Sequence, residues 1–568
     1  MANIFHDTFF AYTLRAVART RTLAHPEEKN PSSWLDMVHA EKKQDVDVEV
    51  RAQDDVEATG SIGSAGPKPD TPMQSAYSSH SHIRLAAAKG VKYAEKANEV
   101  IVVDWYGPDD PANPQNWSRG KKLWVLFLTC LWTFTMYIGS SIYTAGIQDV
   151  AKVFHVSQVA ATVGLTLFVL GYGIGPMFLS PLSEYPQVGR MPIYILTCGL
   201  FTALQVPAAL ATNYGALMAL RFITGFIGSP ILATGGATIA DMYPPKKRVY
   251  GIAIWGLFAW AAPVTGPLVG GFAAHAKGWR WTIWELLWLS GFTLILLFFF
   301  YPETSSSNIL YRRAARLRRI TRNTCIQAQS EIDAAHMTAR EVVTMMLVRP
   351  FTLNFTEPIV LLLNLYIALI YALLYCWFES FPIVFGDIYH WPEQLVGLAF
   401  LGVLFGCISV IPPYFAYLHY YQEPQYNDRG ELKPEERMSG AIVGAFFIPI
   451  CLFWFGWSAR TSISWIMPIV GSSFFGAGGV LLFNSVLNYL TDAYPLYAAS
   501  VLAGNDLIRS AFGAAFPLFA GAMYRNLGVG WASSVLGFLS CVFVPIPILL
   551  DRYGERIRMA SKRARHDI

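Results

Sequence analysis

The chain is 568 residues long, 54% hydrophobic and 14% aromatic, with only 14% charged residues and a formal net charge of +4. A soluble globular protein carries about 25% charged residues, so much of this chain faces lipid, which argues against a soluble enzyme. Seven scattered cysteines, with no CxxC or Cys/His spacing, read as buried free thiols and leave disulfides or a metal site without support.

Residues 1–120 read as a cytosolic arm, largely disordered. The first 20 residues mix aromatic and aliphatic side chains with arginines. They form either an amphipathic segment, on a membrane or on the protein's own cytosolic face, or a partly ordered tail. From 21 to about 100 the chain is rich in Asp, Glu, Lys, Ser, Gly and Pro and cannot bury enough apolar surface to fold alone. Twelve apolar segments follow, each near the roughly 20 residues that a bilayer core requires. They fall at 122–144, 159–180, 191–211, 216–240, 249–274 and 281–301, then at 357–384, 394–420, 439–459, 464–490, 498–524 and 531–550. The domains are an N-terminal half over 121–301, a central loop over 302–356, a C-terminal half over 357–550 and a basic tail over 551–568. Lys and Arg concentrate in alternate connections: Lys121 and Lys122, Arg190, Lys246 to Arg248, the arginines from Arg312 to Arg349, and the tail from Arg552 to Arg565. By the positive-inside rule these are cytosolic, and so are both termini. The central loop, with YRRAARLRRITR, reads as an amphipathic linker on the anionic leaflet, and nucleic-acid binding is disfavoured by its tethering at both ends.

The chain also repeats itself. Asp241-Met-Tyr-Pro closes the fourth segment and Asp492-Ala-Tyr-Pro closes the tenth, 251 positions later; Pro267 matches Pro517 at an offset of 250, and Gly278-Trp279 matches Gly530-Trp531 at 252. Two six-helix halves inserted in the same sense account for all three offsets. The predicted fold is an all-α membrane protein with 12 transmembrane helices in 6+6 pseudo-symmetric halves.

Four constellations carry candidate chemistry. The connection after the second segment, GPMFLSPLSEYPQVGRMP, holds Gly175, Glu184, Gly189 and Arg190. With Asp241 these form a candidate gate cluster, an acid and a base that lock one state against the fourth segment and a helix N-terminus of the other half. Ordinary positive-inside charge is the bland alternative. Arg221 lies 20 residues before Asp241, about 30 Å along a helix, which places it in the outer leaflet. An arginine inside a span is costly and functional by default: it holds down a proton acceptor's pKa or holds a polar network together, unless it is a snorkelling structural residue. Asp506 precedes Arg509 by three residues on one helical face, so Arg221, Asp506 and Arg509 form the candidate proton-coupling set; a constitutive Asp506–Arg509 pair is the alternative. The fifth segment carries Gly256, Pro263, Gly266, Pro267, Gly270 and Gly271. Gly costs roughly 1 kcal/mol and Pro about 3 in a helix interior, so this helix gives up propensity for a side-chain-free seam, with the expected task of sealing the outer side against the opposite half. Finally, Thr133 and Tyr137, then Asn364, Tyr371, Tyr375 and Phe378, then Asn484 and Asn488 offer a candidate cavity of aromatic walls with few polar groups.

Several of these stretches resemble a known family. The Gly, acid, Gly-Arg order after the second segment, with two extra residues before Gly189, the lone Arg221 in RFITGFIGS and the parallel halves are similar to the major facilitator superfamily. GLFAWAAPVTGPLVGGF resembles the fifth-span signature of its proton-coupled drug exporters. GPDDPANPQNWS, GWRWTIWE, PEER and SVLAGNDLIRSAFGAAFPLFAG resemble the fungal 12-spanner drug:proton antiporters of the benomyl and fluconazole resistance type, from about residue 100 onward. The resemblance implies proton-driven efflux of small, mostly apolar drugs and toxicants across the plasma membrane. It further implies a monomer in the lipid bilayer whose partners are drugs and protons, with no nucleic acid and no cofactor beyond the proton gradient. The chain lacks a nucleophile, base and oxyanion arrangement and a GxxxxGK[ST] loop, so neither enzyme chemistry nor direct use of ATP is expected. Two alternatives stand: a proton-linked or facilitative carrier of a physiological solute such as a polyamine, and a transporter-like membrane receptor.

Overall fold

The computed structural model describes residues 8–18, 25, 28, 100–335, 338, 340–341, 344–427 and 430–567. The arm expected to be disordered, from 21 to about 100, lies almost wholly outside the described residues.

Among the described residues, eleven helices are long and apolar enough to cross a membrane. Ten of them are spans one to ten: Arg119–Phe154, Gln158–Glu184, Arg190–Ala209, Tyr214–Met242, Pro245–Lys277, Arg280–Phe300, Pro358–Ile388, Glu393–Gln425, Pro434–Ser458 and Ile466–Ala493. The eleventh, Pro495–Ala560, has 66 residues, about 99 Å if straight, against a hydrocarbon core of about 30 Å. It is broken at Gly528, where φ is 75° and ψ 156°, a conformation open to glycine alone without strain. The chain doubles back there. Gly513 packs against Tyr371 of span seven, and Phe543 returns to stack on Tyr366 of the same span at 5.4 Å. Residues 498–527 and 529–560 are therefore spans eleven and twelve, consistent with the twelve predicted.

Two boundaries differ from the sequence reading. Span one continues past 144: its α-helix stops at Ser141, passes through a 3-10 turn over Ile142–Gly146 and ends in a short helix, Ile147–Phe154. Span twelve stays helical to Ala560, so residues 551–567 are not a free basic tail. Arg558 is fully buried, and its guanidinium reaches both oxygens of Glu435 at 2.9 and 3.4 Å.

The halves are built alike. Gly171 of span two and Gly225 of span four let those helices touch backbone to backbone, as Gly406 of span eight and Gly476 of span ten do. A Cβ on Gly171 would lie 2.9 Å from the Phe226 nitrogen, and one on Gly476 3.0 Å from that of Cys407. In lipid, where apolar burial gives helices no reason to associate, this close approach supplies the packing.

The amphipathic opening stretch is a helix, Phe9–Ala18, lying on the protein's own surface. Phe9 and Phe10 meet Phe298 and Phe299 of span six at 5.4 and 5.1 Å, and Arg312 sits over the Tyr12 ring at 4.4 Å. All the spans belong to the larger of two compact units. In the smaller, strand Ile101–Val103 pairs in parallel with Ile326–Ala328, and Arg318 donates to the Ile326 carbonyl at 3.0 Å.

Candidate functional site

At the basic end of the spans, Gly189 precedes span three with φ 79°, and a Cβ there would fall 2.5 Å from a carboxylate oxygen of Glu303. The bare backbone lets Glu303, just past span six, accept the amides of Arg190 and Met191 at 3.2 Å each, a carboxylate where the helix dipole favours one. Arg190 pairs with Asp241 at the end of span four. Gly175 seats span two on span four, since a Cβ there would lie 3.0 Å from that of Ser229. Glu184, by contrast, is exposed and makes no ion pair or hydrogen bond among the described residues. The turn Tyr185–Gly189, closed by the Gly189 amide on the Tyr185 carbonyl at 3.1 Å, sets it back from Arg190, whose charge it still feels at longer range, while Glu303 makes the direct contacts.

The second half repeats this arrangement. Arg437 donates to Asp492 at 2.9 Å, to Gln422 Oε1 at 3.0 Å and to the Tyr426 hydroxyl at 3.0 Å. It lies 247 positions after Arg190, close to the 251 between the aspartates, and this offset is the signal that would have found it. Arg248, at the start of span five, lies within electrostatic reach of both Asp241 and Asp492 and so couples the two clusters across the halves; a direct bond crosses beside it. Glu423, at the end of span eight, accepts from Lys247 Nζ at 2.5 Å and from the Tyr250 hydroxyl at 2.7 Å, both at the start of span five. The direct hydrogen bonds across the halves thus sit on spans five and eight, beside the Arg248 link between Asp241 and Asp492.

Arg221 is 2% exposed and meets no carboxylate among the described residues. Its Nε donates to the Gly164 carbonyl at 3.1 Å, and its two terminal nitrogens donate to Gly139 and Ser140 at 2.9 and 3.4 Å. The rings of Tyr143 and Phe168 flank it at 4.6 and 4.3 Å. Gly139 and Ser140 form the last turn of the α-helical part of span one, where helix carbonyls run short of amide partners. Of the roles expected of Arg221, this geometry is that of a network holder joining spans one, two and four. Arg221→Ala strips donors from three buried carbonyls, at about 1–3 kcal/mol for each group left unsatisfied. The expected result is a lower melting temperature and a smaller monodisperse peak in size-exclusion chromatography, partly restored by Arg221→Lys; unchanged values for the alanine variant would contradict it.

Midway along the spans two hydrogen-bonded groups, linked by the Ser140 hydroxyl donating to the Tyr137 carbonyl at 2.8 Å, form a chain that joins the halves. Arg509 of span eleven pairs with Asp506 one turn earlier and donates to the Tyr137 hydroxyl of span one at 2.8 Å. Tyr172 of span two meets Tyr371 and Tyr375 of span seven, hydroxyl to hydroxyl, at 2.5 and 3.0 Å. Tyr375 in turn reaches Ser140 of span one at 2.7 Å. The guanidinium of Arg509 also lies over the rings of Tyr371 and Phe483, at 4.8 and 5.2 Å. All seven polar residues are at most 4% exposed, where hydrogen bonds are strong and unmet ones expensive. Asp506 Oδ2 and Arg509 Nε have no hydrogen-bond partner among the described residues, so the pair keeps capacity for one. Tyr172 is absent from the sequence-derived candidates; its signal is a tyrosine between two glycines in LGYGIG. Gly171 admits span four there, and Gly173 sits 2.9 Å, measured from an added Cβ, from Ser510 Oγ of span eleven.

The glycine seam of span five faces two ways. The helix runs unbroken through Pro263 and Pro267. A Cβ on Gly266 would lie 2.6 Å from the Ile142 nitrogen, and one on Gly270 2.5 Å from the Ile142 carbonyl oxygen. Both contacts are with span one, in the same half, which corrects the expectation that these glycines seal against the opposite half. One residue onward is about 100° of helical turn, and that face does make the crossing. A Cβ on Gly397 of span eight would lie 2.8 Å from the Pro267 carbonyl carbon, and one on Gly271 3.4 Å from the Gln394 oxygen. Gly256 faces Asn484 of span ten; a Cβ there would lie 2.9 Å from its Oδ1.

Of the other cavity candidates, Phe378 packs 5.1 Å from the Tyr375 ring, and Thr133 accepts from Trp255 Nε1 at 2.8 Å. Asn484 donates to the Val480 carbonyl at 2.9 Å, and Asn488 to that of Asn484 at 2.7 Å. The Oδ1 of Asn484 has no partner. Asn364 does not join the centre. It accepts from Asn505 at 2.7 Å and donates to Asn354, tying span seven to span eleven and to the helix Arg349–Thr356 within one half. Span seven is buried on nearly every side, so residue spacing does not tell which face meets the other half. Trp260 completes the aromatic wall, 6.5, 6.0 and 6.3 Å from Tyr371, Phe475 and Phe483.

Comparison with known proteins agrees with this architecture. The family model described as Major Facilitator Superfamily matches residues 129–517. The chain is 46% identical over 481 residues to the transporter mfs1 of Schizosaccharomyces pombe, covering 83% of this chain and 91% of that protein. It is 42% identical over 476 residues to the multidrug transporter FLR1 of Candida glabrata, covering 83% and 85%. In structure it is similar to the proton:xylose symporter XylE, with a TM-score of 0.54 at 16% identity over 77% of this chain and 96% of that one, a likeness of fold.

Proposed function

Because the chain belongs to the major facilitator superfamily, we propose that it exports small, mostly apolar drugs and toxicants across the plasma membrane in exchange for protons. Its basic end and both termini face the cytosol. The relatives are named a transporter and a multidrug transporter. The observation that carries the reading is the buried chain of Asp506, Arg509, Tyr137, Tyr172, Tyr371, Tyr375 and Ser140, which holds the halves together through bonds that a proton or a ligand can replace.

Protonation of Asp506 takes away the anionic partner of Arg509. Losing one partner of a buried pair is worth about 3–5 kcal/mol, and each 1.4 kcal/mol is about tenfold in an equilibrium. A shift of that size is enough to move the protein between inward- and outward-facing forms. Lys247 and Tyr250 on Glu423 form the inner gate and Pro267 against Gly397 the outer one; alternating access opens one while the other holds. Between them, Trp255, Trp260, Phe475 and Phe483 offer flat apolar walls that accept varied ligands without a fixed charge. Protons entering from outside drive the return to the inward-open form.

Inverted membrane vesicles test this reading. An imposed acid-inside gradient is expected to drive uptake of a lipophilic dye, and a protonophore to abolish it. Dye uptake at the same rate without a gradient would leave a facilitative carrier, and gradient-driven uptake of a polyamine in place of the dye would point to a physiological solute.

A further inference from the structure

The basic carboxyl-terminal segment is folded under the second half as a clasp. Arg558 grips Glu435 and donates through Nη1 to the Arg565 carbonyl at 2.5 Å. Arg565 gives its amide to the Ala493 carbonyl, at the end of span ten, at 2.8 Å and its guanidinium to Glu431. Arg563 donates to Thr356 Oγ1 at 2.9 Å. Ser561 is at the centre. Its hydroxyl donates to Glu357 Oε2 at 2.7 Å and accepts the amides of Arg563 and Ala564 at 3.1 Å each. The same Glu357 oxygen also accepts the Tyr494 hydroxyl at 3.1 Å.

Ser561 ends the stretch Arg556-Ile-Arg558-Met-Ala-Ser561, with arginines five and three residues before a hydroxyl. This is the spacing that acidic pockets of basophilic serine/threonine kinases read through paired charges. We propose that Ser561 is a phosphorylation site and that its modification holds the tail undocked from the second half. The kinase transfers the γ-phosphoryl group of MgATP to Ser561 Oγ. The new O–P bond forms as the bond to ADP breaks, ADP leaves, and the hydroxyl proton passes to the kinase's carboxylate base.

Arg556 is exposed, but Arg558 is fully buried in the docked tail, so the kinase's substrate is the tail in its locally opened form. After transfer, a group of about −1.5 to −2 charge stands where a hydroxyl touched a carboxylate. The phosphate keeps the amides of Arg563 and Ala564 and draws the Arg563 side chain from Thr356, so the local turn survives. Redocking would press two anions together at Glu357, and Glu431 and Glu435 would remain without Arg565 and Arg558. Glu431 lies on the connection before span nine and Glu435 at the start of that span. The inference rests on the tail's contacts and stands apart from the export reading.

The test treats the full chain in lipid nanodiscs with a basophilic kinase and MgATP, and reads Ser561 occupancy by mass spectrometry and amide hydrogen exchange over 549–567 and 430–437. Ser561 is expected to be phosphorylated, and both segments to exchange about tenfold faster or more once the buried pairs are undone. Glu435→Gln, outside the kinase's recognition stretch, undocks the tail and is expected to speed phosphorylation; Glu431→Gln serves the same purpose should that variant fold poorly. Glu357→Gln removes the opposing charge, so its phosphorylated tail is expected to regain protection. An unmodified Ser561 in the native chain and in these variants would overturn the proposal, whether or not the urea-unfolded chain is phosphorylated, as would phosphorylation that leaves exchange unchanged.

Discussion

Arg509→Ala is expected to abolish gradient-driven efflux, with transport per folded molecule down at least about a hundredfold. The substitution leaves Asp506 as a buried carboxylate without its cation, a loss of about 3–5 kcal/mol, and removes the donor that ties Tyr137 of the first half to span eleven. Asp506→Asn separates coupling from assembly. It keeps the shape of the site but fixes it in a neutral form, so dye counterflow between equal compartments should persist while uptake driven by an imposed gradient is lost. The double variant Asp506→Asn/Arg509→Gln removes both charges together and is expected to recover folded protein relative to Arg509→Ala without recovering coupling. Counterflow and gradient-driven uptake in the same vesicle preparation decide the matter. Full gradient dependence in Asp506→Asn would move the proton to another acid.

A second large effect is expected from leucine at two glycines that look equivalent in sequence but face different partners. Gly266→Leu forces a side chain into the Ile142 backbone of its own half, where helix axes cannot separate without unpacking that half. Overpacking of this kind costs about 1–3 kcal/mol or more, and folded protein should fall. Gly397→Leu places its clash against the Pro267 carbonyl across the interface, so each half stays intact and only the outer closure fails. Folded yield should stay near that of the parent chain while efflux is lost and the outward-open form accumulates. A cysteine replacing Gln394, labelled from outside by an impermeant maleimide, reports that shift; it should react about tenfold faster or more in the Gly397→Leu background. Equal labelling rates in the two backgrounds would place the outer gate elsewhere.

The fold was legible in the sequence because its evidence is local or repeated. Apolar lengths gave the spans, and Asp241 with Asp492 and Pro267 with Pro517 gave the halves. The site was partly legible: Tyr137, Tyr371, Tyr375, Asp506 and Arg509 stand out as polar groups inside apolar runs, and Arg190 and Asp241 stand out as charges at the ends of spans, the latter marked by the repeat. Direction was harder to read. Gly266 and Gly397 differ only in which helix approaches them, and Asn364 shares a stripe with Tyr371 on a helix buried on nearly every side, where periodicity carries no facing information. Glu303 and Glu423 were missed because each acts on a partner far away in sequence, the Arg190 amide 113 positions off and Lys247 176 positions off. Arg437 was within reach of the repeat once its offset from Arg190 was compared.

Glu303 and Glu435 have a mechanical consequence. In the first half an acid beyond span six holds the start of span three; in the second, an acid at the start of span nine holds the end of span twelve through Arg558. Corresponding pairs of helices are bolted at the same end, with acid and donor exchanged between them. Neither pair can splay there without exposing a buried carboxylate to an empty site, so each six-helix body is stiff at its inner rim. On the proposed export cycle, a displacement started at Asp506 would reach the gates through two stiff lever arms rather than being lost in bending of the outer helices.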